Sequence, residues 1–113
     1  MYKVVAFLKR KHGMSRAEFI DYYENHHVPL ILSIAPPPPV YRRNYLMSVA
    51  RGVGFDFDVM TEIAFADQTA FEAWALKLHA DTRVADDELN FFDPGSCRPI
   101  VCYFLDERSS GSG

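Results

Sequence analysis

The chain has 113 residues, enough for one domain with a single core, and its 12 basic and 15 acidic residues leave a net charge of −3. No basic run exceeds Lys9-Arg10-Lys11, which argues against nucleic acid as a partner, and no apolar stretch approaches the roughly 20 residues needed to span a bilayer. Met1 leads into a strand pattern without a signal-peptide core, so a soluble, cytoplasmic protein with no membrane partner is expected.

Tyr2 to Lys9 (YKVVAFLK) is β-branched and aromatic with weak alternation, the pattern of a central strand that is apolar on both faces. A charged turn follows. Ser15 to Leu32 (SRAEFIDYYENHHVPLIL) then reads as an amphipathic helix opened by a capping box, in which Ser15 accepts the backbone N–H three residues on and Glu18 reaches back. Its buried face runs through Phe19, Ile20, Tyr23, His27 and Leu30 or Ile31 at three- and four-residue steps. Pro29 disfavours helical geometry at Val28, which predicts a break or restart at His27 to Pro29 and leaves His27 near a helix C-terminus.

At that position the helix dipole favours the imidazolium and burial favours the neutral ring, and an imidazole held between them can trade protons near neutral pH. Packing is the competing role for such a histidine. His26 sits on the flank with Phe19 and Tyr22. Adjacent helical residues point about 100° apart, so His26 and His27 cannot share one ion, and no HExxH, CxxC or carboxylate cluster supplies further ligands. No metal site is expected.

Four consecutive prolines in Ala35 to Pro39 make a stiff connector, with service as a polyproline ligand as the alternative. Val40 to Ala50 (VYRRNYLMSVA) alternates as a strand, with Tyr41, Arg43, Tyr45, Met47 and Val49 on one face and Arg42, Asn44, Leu46 and Ser48 on the other. Arg51 to Phe55 is a glycine-bearing turn and Asp56 to Phe65 a third strand, completing a hairpin whose polar positions pair Arg42 or Arg43 with Asp58 or Glu62. Asp67 is a good N-cap for a helix over Gln68 to Ala80, with Phe71, Trp74, Ala75 and Leu78 toward the core and His79 exposed. Asp81 caps a further short helix through Val84, Ala85, Leu89 and Phe92, ended by the turn Asp93-Pro94-Gly95. Asp86, Asp87 and Glu88 read as a solvated face, or else Asp87 or Glu88 orients an arginine or histidine near a site. Cys97 to Leu105 is the last strand, which puts Cys97 and Cys102 on opposite faces and excludes a disulfide between them.

The order strand, helix, strand, strand, helix with an extra helix, strand is the α+β ferredoxin-like, split βαβ plan: a four-stranded antiparallel sheet with helices on one face. The domain is expected over 1–107, with 108–113 (RSSGSG) as a flexible tail. The helix-free face carries apolar residues that must also leave water, which predicts a homodimer whose sheets pack into a dimeric α+β barrel.

Three stretches are similar to the EthD family of dimeric α+β barrel proteins, in particular its fungal polyketide-pathway members. They are FLKRKHGMSRAEFIDYYENHHVPLILS, with its terminal His27-Val28-Pro29-Leu30; YRRNYL followed by DFDVMTEIAFAD; and DDELNFFDPGSCRPIVCYFLDE. The resemblance implies a lyase that needs no cofactor and acts on aromatic polyketides as a decarboxylase, dehydratase or cyclase. It also implies that the histidine matching His27 is the acid/base group. The family includes cofactor-independent oxygenases and members without known activity, so a monooxygenase or a non-catalytic ligand-binding dimer is the alternative. Under the lyase reading His27 moves the proton with Tyr23, one turn earlier, as its partner. Tyr41, Arg43 and Asn44 would bind carboxylate or enolate oxygen, and Phe7, Tyr22, Phe57, Trp74 and Phe92 would wall a pocket for flat rings.

Overall fold

The structure is a computed structural model that describes residues 1–48, 52, 54, 56–97 and 100–111, with the backbone alone at 96 and 97. Strands β1 (Tyr2–Leu8), β2 (Val40–Tyr45), β3 (Val59–Phe65) and β4 (Cys102–Leu105) form one sheet in the order β2-β3-β1-β4. Every pairing is antiparallel, with Ala6 opposite both Thr61 and Cys102, and Tyr41 opposite Ile63. This is the expected ferredoxin-like α+β plan.

The alternation of β1 sends Val4, Ala6 and Leu8 toward the helices, where they are buried with Val59, Thr61 and Phe65 of β3. Ser15 caps the first helix as expected: its Oγ accepts the Glu18 N–H at 3.1 Å while its own N–H donates to Glu18 Oε1 at 2.9 Å. Of the expected break or restart at His27 to Pro29, the structure shows the restart: the α-helix resumes at Val28. Helix α1 (Arg16–Tyr22) widens into a π-helical turn over Tyr23–His27 and continues as α2 (Val28–Ile34), with Pro29 in its first turn. The Val28 N–H bonds back to the Tyr23 carbonyl, five residues away, and the wider turn accommodates the proline ring without ending the helix.

That turn also sets which residues are buried. Phe19, Tyr23, His27 and Ile31 are four apart, a step that advances about 40° round an α-helix, so the set would drift off one face over three steps. A π turn holds more residues and cancels part of the drift. All four are buried, at 0%, 2%, 5% and 3% exposure.

Asp67 caps α3 (Gln68–Ala80) by accepting the Ala70 N–H, and Asp81 caps α4 (Thr82–Glu88) by accepting that of Arg83. The chain then returns beneath α1. Lys11 N–H donates to the Phe91 carbonyl and Asp93 N–H to that of Lys9, both within 2.9 Å, which seats Phe91 and Phe92 in the core.

Three other expectations change. Leu46 to Ser48 and Asp56 to Asp58 lie outside β2 and β3, and 49–50 fall outside the described residues. The expected arginine pairs are not formed: Arg10 takes Asp58 and Arg43 takes Glu24, while Arg42 stands across from Glu62 in register. Cys97 ends a short helix α5 (Pro94–Cys97), opened where Asp93 accepts the Gly95 N–H, so Cys97 and Cys102 do not share a strand. No helix among the described residues is long and apolar enough to cross a membrane.

Candidate active site

Between α1–α2, the sheet, α3 and α4 lies a cavity of about 420 Å³, within the range usual for small-molecule sites. Tyr23, His27, Tyr41, Thr61, Trp74 and Phe92 line it, and His79 and Glu88 lie at its helical edge.

Because the π turn continues into α2, His27 sits in mid-helix, and the expected C-terminal dipole does not act on it. Its surroundings do. The ring packs against Phe91 at 4.7 Å, Tyr23 at 5.6 Å and Phe92 at 5.8 Å between centroids. Its Nδ1 lies 2.9 Å from Asp87 Oδ2. Burial pushes the imidazole below its ordinary value and Asp87 offsets part of that shift. Asp87 is itself pushed up by burial, but hydrogen bonds from Tyr22, His27 and Asn90 outweigh this and hold it below the usual carboxylate range. An ionised Asp87 makes Nδ1 the protonated nitrogen of neutral His27, which leaves Nε2 with its lone pair.

Across the cavity floor, the Tyr23 hydroxyl is 2.8 Å from Thr61 Oγ1, and Tyr41 lines the same wall. Burial raises both phenols, Tyr23 well above its ordinary value and Tyr41 to about 12. Both are therefore neutral hydroxyls at physiological pH.

Of the residues singled out from sequence, the fold brings His27, Tyr23, Tyr41, Trp74 and Phe92 to this cavity. Tyr22, Arg43 and Asn44 do not line it. Tyr22 instead supports Asp87, donating its hydroxyl to Oδ1 at 2.5 Å. Arg43 shares the cavity-facing side of β2, but its Nε and Nη2 are held by both oxygens of Glu24, at 2.9 and 2.6 Å, with its charge 4.8 Å over the Tyr41 ring. Asn44 alternates to the opposite face and donates to the Met60 carbonyl and Glu62. Phe7 also points away, packed on Phe57 and Tyr103. His26 is exposed and stacked on Tyr22 at 4.7 Å, so His27 is the imidazole that reaches the cavity.

Thr61 and His79 were not expected at a site. Thr61 is the one polar residue on the inward side of β3, a signal the alternation carried. Among the described residues no group of His, Cys, Asp and Glu is arranged to hold a metal ion.

Solved structures with the same fold include an ethyl tert-butyl ether D (EthD) family protein from Bacillus halodurans C-125. It has a TM-score of 0.65 and 17% identity, with 96% of this chain and 99% of that one covered. An EthD-like protein from Ralstonia eutropha JMP134 gives 0.65 and 17%, over 98% and 95%. An Arabidopsis thaliana protein gives 0.63 and 13%, over 98% and 99%. No curated protein matches the chain. The EthD domain profile matches residues 11–95, which span α1 to α4 and most of the cavity wall, and the chain belongs to the EthD domain family.

Proposed function

We propose that this protein is a cytoplasmic, cofactor-independent lyase that moves protons on an aromatic or β-keto polyketide, with His27 as the acid/base group. The observation that carries the reading is an imidazole 5% exposed on the wall of an apolar cavity, with one nitrogen tied to a carboxylate and the other without a partner among the described residues. A histidine retained for packing gains nothing from an adjacent hollow or from neutral hydroxyls converging on it.

In the reaction, the Nε2 lone pair takes a proton from a carbon beside a ketone. The C–H electron pair becomes the new C=C bond, the carbonyl π pair moves to oxygen, and a hydroxyl of Tyr23, Tyr41 or Thr61 donates to that oxyanion. The imidazolium then returns the proton to a departing hydroxyl, releasing water, or to an alkoxide formed on ring closure. On a carboxylated substrate the same groups would hold the enolate left by carbon dioxide and protonate its carbon. The substrate's own conjugation stores the charge, so no cofactor is needed.

The working form is a homodimer joined through the helix-free face, where Phe7, Tyr103 and Leu105 are 41%, 53% and 44% exposed.

Turnover of a polyketide substrate by His27→Gln should fall by about 10²–10⁴-fold, the usual contribution of a proton-transfer group. Unchanged turnover would show that the imidazole only packs. Run without oxygen, the wild-type reaction should keep its rate; dependence on oxygen would assign the protein to the monooxygenases of this fold.

A further inference from the structure

We propose, resting on the reading of the cavity as a substrate site, that Trp74 is a positioning residue: its indole N–H receives an oxygen of the bound molecule and fixes how a flat ring lies before His27.

Trp74 stands at the middle of α3 with Leu78 one turn on, and both line the cavity. Its indole also packs on Phe65 of β3, at 5.5 Å between ring centroids, so the ring is wedged between helix and sheet. The side chain is only half-buried, yet its covered part is the polar end: Nε1 is fully buried and has no hydrogen-bond partner among the described residues. A buried tryptophan N–H usually finds an acceptor, and at a half-exposed position water is close at hand. Here neither is used. Among the described residues it is the one buried side-chain polar atom in that state. Since nearly all buried donors are paired, an unpaired one beside a hollow points to a partner that comes from outside the chain. The torsion that carries the indole is soft, so a ligand oxygen entering the hollow draws the N–H toward itself with a small turn of the ring.

Proton transfer needs such a second hold. A flat molecule with one hydrogen bond pivots in an apolar slot, whereas abstraction requires one particular C–H at the lone pair of His27 Nε2. The Tyr23 and Thr61 hydroxyls, 2.8 Å apart, supply one point from α1–α2 and β3. Trp74 supplies the other from α3. The ligand class that follows is a planar ring system with two oxygen acceptors, and a neutral indole takes ketone, phenol or carboxylate oxygen alike.

Trp74 is the sole tryptophan of the chain, so its indole N–H gives a single proton–nitrogen correlation peak that reports on the donor directly. Two probes are titrated into the full chain at about pH 7: 6-hydroxy-2-acetonaphthone, with oxygen at both ends, and 2-isopropenylnaphthalene, with none. The ketone should move the indole proton downfield, and the hydrocarbon should not. By calorimetry, Trp74→Phe should weaken the ketone about three- to tenfold, the contribution of one hydrogen bond, while leaving the hydrocarbon unchanged. The resonance is read on the unaltered chain, so the result stands even if the variant fails to fold.

A bound ketone that leaves the indole peak in place overturns the proposal, as does a peak already at a bonded position before any probe is added. Equal weakening of both probes by Trp74→Phe overturns it too, since the ring would then only pack. A shifted indole without His27-dependent deuterium exchange into the acetyl group in D2O upholds the anchor and sinks the lyase reading. Exchange beside an unmoved indole sinks the anchor alone. If neither probe binds, the anchor and the cavity reading fall together.

Discussion

Asp87 sits 60 residues from His27 in sequence and 2.9 Å from it in space. With Nδ1–H held on the carboxylate, the imidazole presents a lone pair to the cavity, and burial keeps the resting ring neutral by lowering its pKa below the ordinary 6.5. A base whose pKa lies below 6.5 is fully competent at neutrality and is lost only as protons are added. The profile of kcat/KM should therefore be flat above about pH 6.5, with its acid limb below that value. Asp87→Asn removes the influence that raises the imidazole, so the limb should move to lower pH. The plateau should meanwhile drop about 10- to 100-fold, because the imidazolium formed in the reaction loses its counter-charge. A merely structural Asp87 would change stability and leave the limb where it was. That His27 belongs to a buried face was legible from the four-residue steps leading to it. Asp87 looked like one acid in a solvated run, since nothing local distinguishes an aspartate that faces water from one aimed at another helix.

The element that turns this face inward is the π turn Tyr23–His27, pinned by a cluster of its own. Glu24 accepts from Arg43 at 2.9 and 2.6 Å and from the Tyr45 hydroxyl at 2.5 Å, tying the turn to β2. Those bonds hold Glu24 below the usual carboxylate range, Arg43 contributing most, against the opposing push of burial. Glu24→Ala would strand a guanidinium and a phenol, both half-buried. Charge-assisted bonds contribute about 1.5–3 kcal/mol when enclosed, and with side chains 21% and 33% exposed a loss of about 1–2 kcal/mol should appear in urea unfolding. Glu24→Gln, which keeps an acceptor, should lose less. If both variants matched wild type, the cluster would be an ornament of the surface and the turn would hold itself. Proline chemistry at Pro29 correctly signalled a disturbance here but not its form. Whether a helix breaks or widens depends on what its two ends are anchored to, and the anchors lie on β2 and beneath α4.

At the scale of the whole molecule, the sheet has one face under helices and one bare, where Phe7 packs on Phe57 and Tyr103 and stays 41% exposed. If a second copy covers that face, Phe7→Asp buries an unpaired charge in the seam and should raise the dimer dissociation constant by at least about 100-fold, read by sedimentation equilibrium. Wild-type chain sedimenting as a monomer at tens of micromolar would remove the dimer from the account.

The strand–helix order, the caps at Ser15, Asp67 and Asp81, and the buried positions Phe19 and Tyr23 of the first helix follow from the amino-acid sequence alone, because periodicity and capping act over three or four residues, whereas Val4, Ala6 and Leu8 were not separable from a strand apolar on both faces. Tertiary structure decided the rest: which acid meets His27, that Arg43 is spent on Glu24 rather than offered to a ligand, and that Tyr23, Tyr41 and Thr61 share the cavity wall with His27. Those outcomes turn on contacts between residues 19 to 60 positions apart, and only the register of the sheet and the docking of α4 against the π turn bring them together.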